Sequence, residues 1–253
     1  GVAAINNKYG ATVLKEAAAA QWFMLDGEWN TLRSTLTTNG KALLGHNRKA
    51  TVGGRKDEHA HPFMFDDRYI FFHNGTLHNH RALADTEVDS EALGQRVTAC
   101  EGDLEKLGDV LAKVRGAYAC VWYDADKHTV YLMRNSERPL NFIMFENGAI
   151  GYASETWMAW GPCTRNYMKV KETVSLKEGH LYSIDISQPK PDIKEELIPK
   201  KALPSVPRGK AYTSTGGTKL SKKELKNTLA DLKSATYLAF FPDDVIPVHD
   251  VKG

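Results

Sequence analysis

The stretch from residue 45 to residue 91, GHNRKATVGGRKDEHAHPFMFDDRYIFFHNGTLHNHRALADTEVDSE, decides the fold because it sets a short apolar run among polar turn residues. Residues 68–73 (RYIFFH) are mainly apolar and aromatic, which is typical of a buried β-strand. The run reaches Asn74-Gly75, a dipeptide that favours tight turns because glycine tolerates positive φ. The sequence therefore predicts a buried strand that ends in a turn exposing polar groups.

Polar residues in the same stretch suggest a pocket for one small zwitterion. Arg48 has a planar, permanently charged guanidinium that can pair bidentately with a carboxylate, and the carboxylate of Asp89 suits an α-ammonium group. The Asn74 side chain and the Gly75 backbone N–H are two neutral donors that could converge on an oxygen gaining negative charge. Taken singly, each feature is more often a turn or a solvated loop charge, so the prediction depends on their combination.

The order of the motifs resembles the class II glutamine amidotransferases, whose catalytic domains are N-terminal-nucleophile (Ntn) glutaminases. The resemblance rests on four blocks in sequence order: GHNRKAT at 45–51, AHPF at 60–63, HNGTL at 73–77 and VDSE at 88–91. It continues through RGAY at 115–118 and GYASE at 151–155. Most of residues 1–185 are covered, and the rest of the chain is left unassigned.

The resemblance implies hydrolysis of the L-glutamine side-chain amide to glutamate and ammonia, with the ammonia passed to an acceptor enzyme. It assigns Asn74 and Gly75 to the oxyanion hole. It also implies that Arg48, with help from Thr51, holds the substrate carboxylate, that Asp89 binds the α-ammonium group and that Gly75 is a further substrate-binding residue. These five positions are the predicted site residues.

Two positions in this region depart from the family pattern. Lys49 stands where an aromatic residue often follows the arginine, and Val52 stands where a histidine is common. The sequence therefore leaves the affinity for glutamine and the closure of the loop over it open.

The nucleophile of the family is a cysteine exposed as residue one, whose α-amine serves as the base because its ordinary pKa is about 7.7–8.0. Gly1-Val2-Ala3 matches the segment immediately after that cysteine, and no Ser, Thr or Cys occurs before Thr12. The chain as written lacks the nucleophile, so we expect an enzyme with a cysteine just before Gly1. The alternatives are a catalytically dead pseudo-glutaminase that acts as a binding or regulatory subunit, and an amidohydrolase of the same fold that cleaves another amide.

Five histidines crowd the region and raise the alternative of a metal site: His59, His61, His73, His78 and His80. Their spacing does not supply the three or four converging ligands that zinc uses, so we expect neither a metal nor a cofactor. His61 and His73 are instead predicted to form hydrogen bonds to loops around the pocket, with His78 and His80 at the surface. The glycine-rich residues 51–55 lack the Lys-Ser/Thr ending of a phosphate-binding P-loop.

The remaining patterns predict an α+β protein. A first buried strand is expected at residues 1–5, a helix with core aromatic residues within 15–33, and paired helices at 89–95 and 104–114. Strands at 117–124, 129–134, 141–146 and 149–154 are separated by turn residues and suggest an antiparallel meander. A short helix from Thr156 and two strands within 173–184 follow. The resemblance implies that these elements form a four-layer αββα sandwich of the Ntn-hydrolase type with antiparallel sheets.

Two parts are predicted: a glutaminase domain at residues 1–187 and a Pro- and Lys-rich extension at 188–253. The extension is expected to contain a linker, a short amphipathic helix at 220–235 and an apolar patch in YLAFF at 237–241. A free-standing glutaminase needs a surface for its ammonia acceptor. We therefore expect the extension to contact an acceptor subunit or a second copy of the chain. The alternative is that the same apolar features hold the extension on its own domain.

Composition narrows the class of protein. The net charge of +2 gives no indication of nucleic-acid binding, and no apolar run approaches the roughly 20 residues that span a bilayer. The chain start lacks a secretory-signal pattern, and the widely spaced Cys100, Cys120 and Cys163 predict free thiols rather than disulfides. We expect a cytoplasmic protein.

Overall fold

The computed structural model describes residues 1–7, 10–37, 39–49, 52–201 and 235–240. The strands lie in two antiparallel sheets. In chain order they are β1 (Val2–Asn6), β2 (Gly10–Leu14), β3 (Gly40–Asn47), β4 (Phe63–Phe65), β5 (Tyr69–Leu77), β6 (Gly116–Asp124), β7 (Thr129–Arg134), β8 (Asn141–Phe145), β9 (Ile150–Ala153), β10 (Val170–Ser175), β11 (His180–Asp185), β12 (Ile193–Leu197) and β13 (Ala235–Phe240). One sheet has the order β10-β8-β9-β13-β3-β1-β2, and the other has the order β12-β11-β7-β6-β5-β4.

The helices flank these sheets. They are α1 (Ala20–Phe23), α2 (Gly27–Thr37), α3 (His80–Leu83), α4 (Asp89–Thr98), α5 (Leu104–Lys113) and α6 (Trp157–Arg165), with a single 3₁₀ turn at Asp57–His59. Asp103 caps α5, because its side chain accepts a hydrogen bond from the backbone N–H of Lys106.

Alternating side chains on each strand divide the apolar residues between two cores. On β5, Ile70 and Phe72 pack in the core between the sheets, whereas Tyr69 and Phe71 pack in the core under the helices of the six-stranded sheet. This period of two is what the pleat of a strand imposes.

Four layers result from this packing. Buried residues of α4 and α5 cover the outer face of the six-stranded sheet. On the seven-stranded sheet, α2 packs against β1 and α6 packs against β8 and β9. The predicted αββα sandwich of antiparallel sheets is confirmed, as are the buried first strand and the paired helices α4 and α5.

The predicted meander is divided between the two sheets. β6 pairs with β7 in the six-stranded sheet, and β8 pairs with β9 in the seven-stranded sheet. The strand positions are correct, but residues 135–140 cross from one sheet to the other instead of turning within one. A sandwich needs such crossings, and local turn residues do not reveal them.

The prediction of a turn at Asn74-Gly75 is wrong. β5 continues through the dipeptide to Leu77, with Asn74 opposite Ala119 and Gly75 opposite Tyr118 on β6. Gly75 is needed here because a Cβ at this position would lie 1.9 Å from the carbonyl oxygen of Ala117. Long-range pairing with β6 overrides the local preference of the dipeptide.

The prediction of core aromatic residues in the first helical region is only partly right. Phe23 is buried, but the Trp22 and Leu25 side chains are 64% and 73% exposed. α1 comprises only Ala20–Phe23. A helix of four residues can bury few side chains, and here Phe23 is the buried one.

The C-terminal part of the chain contributes to both sheets. β12 pairs with β11, and β13 lies between β9 and β3, so residues 237–240 of the YLAFF segment belong to a strand that is paired on both edges. The predicted helix at 220–235 lies outside the described residues except for Ala235, which begins β13. The division into residues 1–187 and 188–253 stays a prediction, and it places two strands of the sandwich in its second part.

The three cysteines are buried and free, and Cys120 lies in the strand β6 as an apolar core residue. Within the described ranges, no helix combines the length and the apolar character needed to cross a membrane.

Candidate active site

The start of β1 and the end of β3 meet at a cavity of about 590 Å³. The backbone nitrogen of Gly1 donates a 3.0 Å hydrogen bond to the carbonyl oxygen of His46, and the His46 N–H donates one of 3.0 Å to the Gly1 carbonyl oxygen. Gly1, His46 and Arg48 all line the cavity, together with residues of the segment that precedes α1.

Gly1 is enclosed so closely that only glycine fits. A Cβ would lie 2.2 Å from the carbonyl oxygen of His61 and 2.7 Å from that of Leu14. As a free amine, the Gly1 nitrogen has a pKa lowered from 8.0 to about 5, mainly by burial and secondarily by the charge of Lys15. This position therefore disfavours a charged nitrogen.

Arg48 follows directly after β3, and its guanidinium is half-buried. It donates a 3.1 Å hydrogen bond to the carbonyl oxygen of Gly54 and a second bond to that of Val52. Burial lowers the pKa of Arg48 from its ordinary 12.5, while the negative charge of Asp89 acts in the opposite direction. These two bonds use two of the five N–H donors of the guanidinium, so the fork keeps donors for a carboxylate.

The loop that Arg48 contacts is held at its other end by a buried histidine. His59 Nδ1 accepts a 3.1 Å hydrogen bond from the N–H of Gly54, and His59 Nε2 lies 3.0 Å from a carboxylate oxygen of Glu87. The sequence does not predict this role for His59, because its place in HAH suggests only a metal ligand.

Asp89 is the first residue of α4 and only 3% exposed. Its Oδ2 accepts a 2.8 Å hydrogen bond from the N–H of Leu77, and its Oδ1 accepts one of 3.0 Å from the N–H of Ser90. A carboxylate at a helix N-terminus is also stabilised by the helix dipole. Asp89 is thus tied to β5, and its charge is felt at Arg48.

Asn74 and Gly75 lie on β5 of the six-stranded sheet, whereas Gly1 precedes β1 and Arg48 follows β3 of the seven-stranded sheet. Both are half-buried, and neither they nor Asp89 line the cavity at Gly1. The fifth predicted residue, Thr51, lies outside the described residues. The structure therefore brings Gly1, His46 and Arg48 to one cavity and leaves the oxyanion-hole and ammonium assignments as predictions.

Three histidines of this region are buried: His46, which lines the cavity, His61 and His73. The rings of His46 and His61 have centroids 4.2 Å apart, and burial lowers the pKa of both imidazoles well below 6.5. Burial also lowers the pKa of His73, although Asp89 opposes the shift. The three rings are consequently neutral at neutral pH.

The predicted hydrogen bonds of these histidines are half right. His73 lies 2.9 Å from Ser90 Oγ through Nδ1 and 3.3 Å from the Ala117 carbonyl oxygen through Nε2, and so links β5 to α4 and β6. His61, by contrast, has no hydrogen-bond partner at either ring nitrogen. His78 is exposed, as predicted. Among the described residues, no group of three or more His, Cys, Asp or Glu side chains is arranged to hold a metal ion.

The comparisons of this sequence with known proteins agree on one family. Residues 32–173, more than half of the chain, match the family described as glutamine amidotransferase domain. Glutamine–fructose-6-phosphate aminotransferase (isomerizing) of Thermus thermophilus is 35% identical over 108 residues, which cover 38% of this chain and 18% of that protein. The enzyme of the same name from Streptococcus mutans is 29% identical over 115 residues, which cover 40% of this chain and 19% of that protein.

Solved structures agree on the fold. Glutamine phosphoribosylpyrophosphate amidotransferase from B. subtilis, complexed with ADP and GMP, superposes with a TM-score of 0.53 at 17% identity over 79% of this chain and 43% of that one. A structure described as the allosteric regulatory enzyme of purine biosynthesis gives a TM-score of 0.55 at 18% identity over the same shares. The matched segments make up about a fifth of the length of the aminotransferases. The match over residues 32–173 and the order of the motifs show that this chain belongs to the class II glutamine amidotransferases of the Ntn type.

Proposed function

We propose that this chain is the glutaminase component of a class II glutamine amidotransferase, which hydrolyses L-glutamine to glutamate and ammonia for a separate acceptor enzyme. One observation carries the proposal: Gly1 and Arg48 line the same cavity. A nucleophile attached to Gly1 would face a group suited to a substrate carboxylate.

The surroundings of Gly1 favour a residue before it. Its nitrogen is buried and donates to the His46 carbonyl as the backbone amide of a continuing strand would. A neutral amide suits this position better than an ammonium group, because burial penalises the charge. The residue that the family places there is a cysteine.

With that cysteine present, the chemistry is an acyl transfer in two steps. The cysteine Sγ attacks the amide carbon while its own α-amine takes the thiol proton and returns a proton to the departing nitrogen. A thioester forms as the carbon–nitrogen bond breaks and ammonia leaves. Water then hydrolyses the thioester and releases glutamate, which restores the thiol.

The substrate end of the pocket is assigned by charge. Arg48 offers its remaining donors to the α-carboxylate, and Asp89 offers a buried carboxylate to the α-ammonium group. Thr51 and Gly75 complete the proposed contacts. The electrostatic coupling of Arg48 to Asp89 supports a site of paired opposite charges, which suits a free amino acid.

Asn74 and Gly75 are assigned to the tetrahedral oxyanion. Removing one donor of an oxyanion hole costs on the order of 3–4 kcal/mol of transition-state stabilisation. The bond from Leu77 to Asp89 fixes the strand just beyond these two residues, which supports a rigid arrangement. Rigid donors are effective because they need no reorganisation as charge develops.

The acceptor is proposed to be a separate protein. Ammonia released into water protonates and diffuses away, so a glutaminase benefits from an acceptor bound beside it. The names of the matched relatives state that glutamine is used by a fructose-6-phosphate aminotransferase, and their chains extend well beyond the segment matched here.

The test compares three proteins: the chain with Cys before Gly1, the chain with Ser there, and the Cys form with Arg48→Ala. We expect glutamate release from L-glutamine only with Cys, and a KM raised at least tenfold by Arg48→Ala. A folded Cys form that binds glutamine without releasing glutamate would favour the pseudo-glutaminase. Release from other amides but not from L-glutamine would favour a different amidohydrolase.

A further inference from the structure

The strand β13 occupies the centre of the seven-stranded sheet. It separates the group β10-β8-β9 from the group β3-β1-β2 and is paired on both edges. Ala239, for example, is opposite Leu43 on β3 and opposite Gly151 on β9. The C-terminal segment therefore joins two halves that have no other pairing with each other within the described sheet.

The pairing reaches the end of β3 that borders the cavity. Ala235 is opposite Asn47, Thr236 is opposite His46 and Tyr237 is opposite Gly45. Asn47 is the last residue of β3, and Arg48 follows it. The first residues of β13 thus lie beside the backbone that leads into the proposed carboxylate-binding arginine.

The direction of the hydrogen bonds follows from those already described. His46 turns both its N–H and its C=O towards Gly1, at 3.0 Å each. Successive residues of an antiparallel strand point these groups to opposite sides, so Gly45 and Asn47 turn theirs towards β13. β13 is therefore the partner of the backbone on both sides of His46.

We propose that Ala235–Phe240 is a positioning strand for the active site, which holds Gly45–Asn47 and through them Arg48 and Gly1. Its contribution is made through β3 and requires no contact with the substrate. The C-terminal segment then supports the proposed binding site from outside it, through the backbone of β3.

β13 covers two strand edges that would otherwise be unpaired in the interior of the protein. Leu44 on β3 and Ala153 on β9 are fully buried, and Tyr152 is 1% exposed, so the edges that β13 covers lie in the interior. Interior edges without a partner would leave backbone N–H and C=O groups unsatisfied. Asn47, at the end of β3, is exposed. Loss of the β3–β13 pairing at this end would therefore displace the site residues before the rest of the sheet unfolds.

The experiment uses proline substitutions in the full chain. Ala235→Pro removes the N–H that faces Asn47 at the first residue of the strand, where proline is best tolerated. Ala235→Val keeps that N–H and is the matched control. Ala239→Pro removes the equivalent N–H opposite Leu43, roughly 13 Å further along at about 3.3 Å per residue.

Two readouts are measured: the affinity for L-glutamine by calorimetry, and hydrogen exchange at the amides of Gly45 and Asn47. For Ala235→Pro we expect the Kd to rise at least tenfold and exchange at Asn47 to speed up at least tenfold, with Ala235→Val unchanged. Ala239→Pro should lower thermal stability and leave the Kd of the folded protein within threefold.

Unchanged exchange and affinity in Ala235→Pro would overturn the proposal. Equal losses of affinity in the two proline variants would also overturn it, since they would indicate general destabilisation. The affinity readout rests on the proposed function, but the exchange readout does not. If the unaltered chain fails to bind glutamine, the proposed function fails while the exchange at Asn47 still decides the role of β13.

Discussion

The backbone N–H of Leu77 donates a 2.8 Å hydrogen bond to Oδ2 of Asp89, and this bond joins the end of β5 to the start of α4. The other carboxylate oxygen accepts from the N–H of Ser90. Asp89 therefore has two roles to separate: it fastens the strand that contains Asn74 and Gly75, and it is the proposed partner of the substrate α-ammonium group.

Asp89→Asn tests the charge, because the amide oxygen can still accept the Leu77 N–H while the negative charge and the acceptor of the Ser90 N–H are lost. We expect the affinity for L-glutamine to fall at least tenfold, which corresponds to about 1.4 kcal/mol. Calorimetric titration measures it. The control ligand is the glutamine analogue that lacks the α-amino group, whose affinity should be unaffected. Equal losses for both ligands would show that Asp89 acts only through the fold.

Gly75→Ala tests the continuous strand β5. The added Cβ would lie 1.9 Å from the Ala117 carbonyl oxygen and 2.6 Å from His73 Nε2, and neither backbone nor buried ring can yield easily. We expect a loss of about 2–3 kcal/mol or more in the free energy of unfolding, measured with urea. Gly27→Ala is the control, since nothing lies within 4 Å of its Cβ position. A Gly75→Ala protein as stable as that control would contradict the described pairing of β5 with β6.

The sequence predicts single strands of this fold but not the long-range pairing between them. The apolar and aromatic run at 68–73 predicts the strand β5, because such a run is a local property of the sequence, but the predicted end of the strand is wrong. Asn74-Gly75 has the local chemistry of a hairpin turn, and only the pairing with β6, more than forty residues away, extends the strand through it. Similarly, the apolar residues at 237–241 stand out in the sequence, yet the partners of β13, which are β3 and β9, are distant in sequence.

In the candidate site, too, local features can be predicted from the sequence and long-range contacts cannot. Arg48 and Asp89 are predicted as site residues from motif order and charge, both of which the sequence contains. The bonds from His59 to Gly54 and Glu87 were not foreseen, because they depend on how the loop folds back on itself. Nor does sequence reveal that His61 is buried without a hydrogen-bond partner, since an AHP segment gives no sign of what surrounds the ring.

The buried histidines predict loss of stability in acid. The pKa values of His46, His61 and His73 are lowered in the folded protein. Below pH 6.5 the unfolded chain therefore binds more protons at these histidines than the folded chain does. Stability is therefore independent of these groups above pH 6.5 and falls as the pH drops below it. Each such proton contributes a slope of about 1.4 kcal/mol per pH unit.

His61→Phe isolates one of these protons, because neither ring nitrogen of His61 loses a hydrogen bond on replacement. Urea unfolding at pH 7.5, 6.0 and 5.0 should show a slope smaller by about 1.4 kcal/mol per pH unit than that of the unaltered chain. His78→Phe, at an exposed position, is the control and should keep the original slope. An unchanged slope in His61→Phe would mean that His61 is protonated to the same extent in both states.

Asn74→Ala tests the oxyanion hole in the form of the protein with Cys before Gly1. The side-chain amide is needed most when negative charge develops on the substrate oxygen, so kcat should fall by about 10²–10³ with little change in KM. The backbone pairing of Asn74 with Ala119 is kept, and the fold with it.

Asn79→Ala is the matched control, since that amide bonds the backbone of Lys113 and Arg115, and its loss should lower stability rather than kcat. Steady-state kinetics of glutamate release at several glutamine concentrations separate the two effects. A kcat in Asn74→Ala equal to that of the parent would place the oxyanion donor elsewhere, because a side chain that stabilises the developing charge cannot be removed without slowing the step.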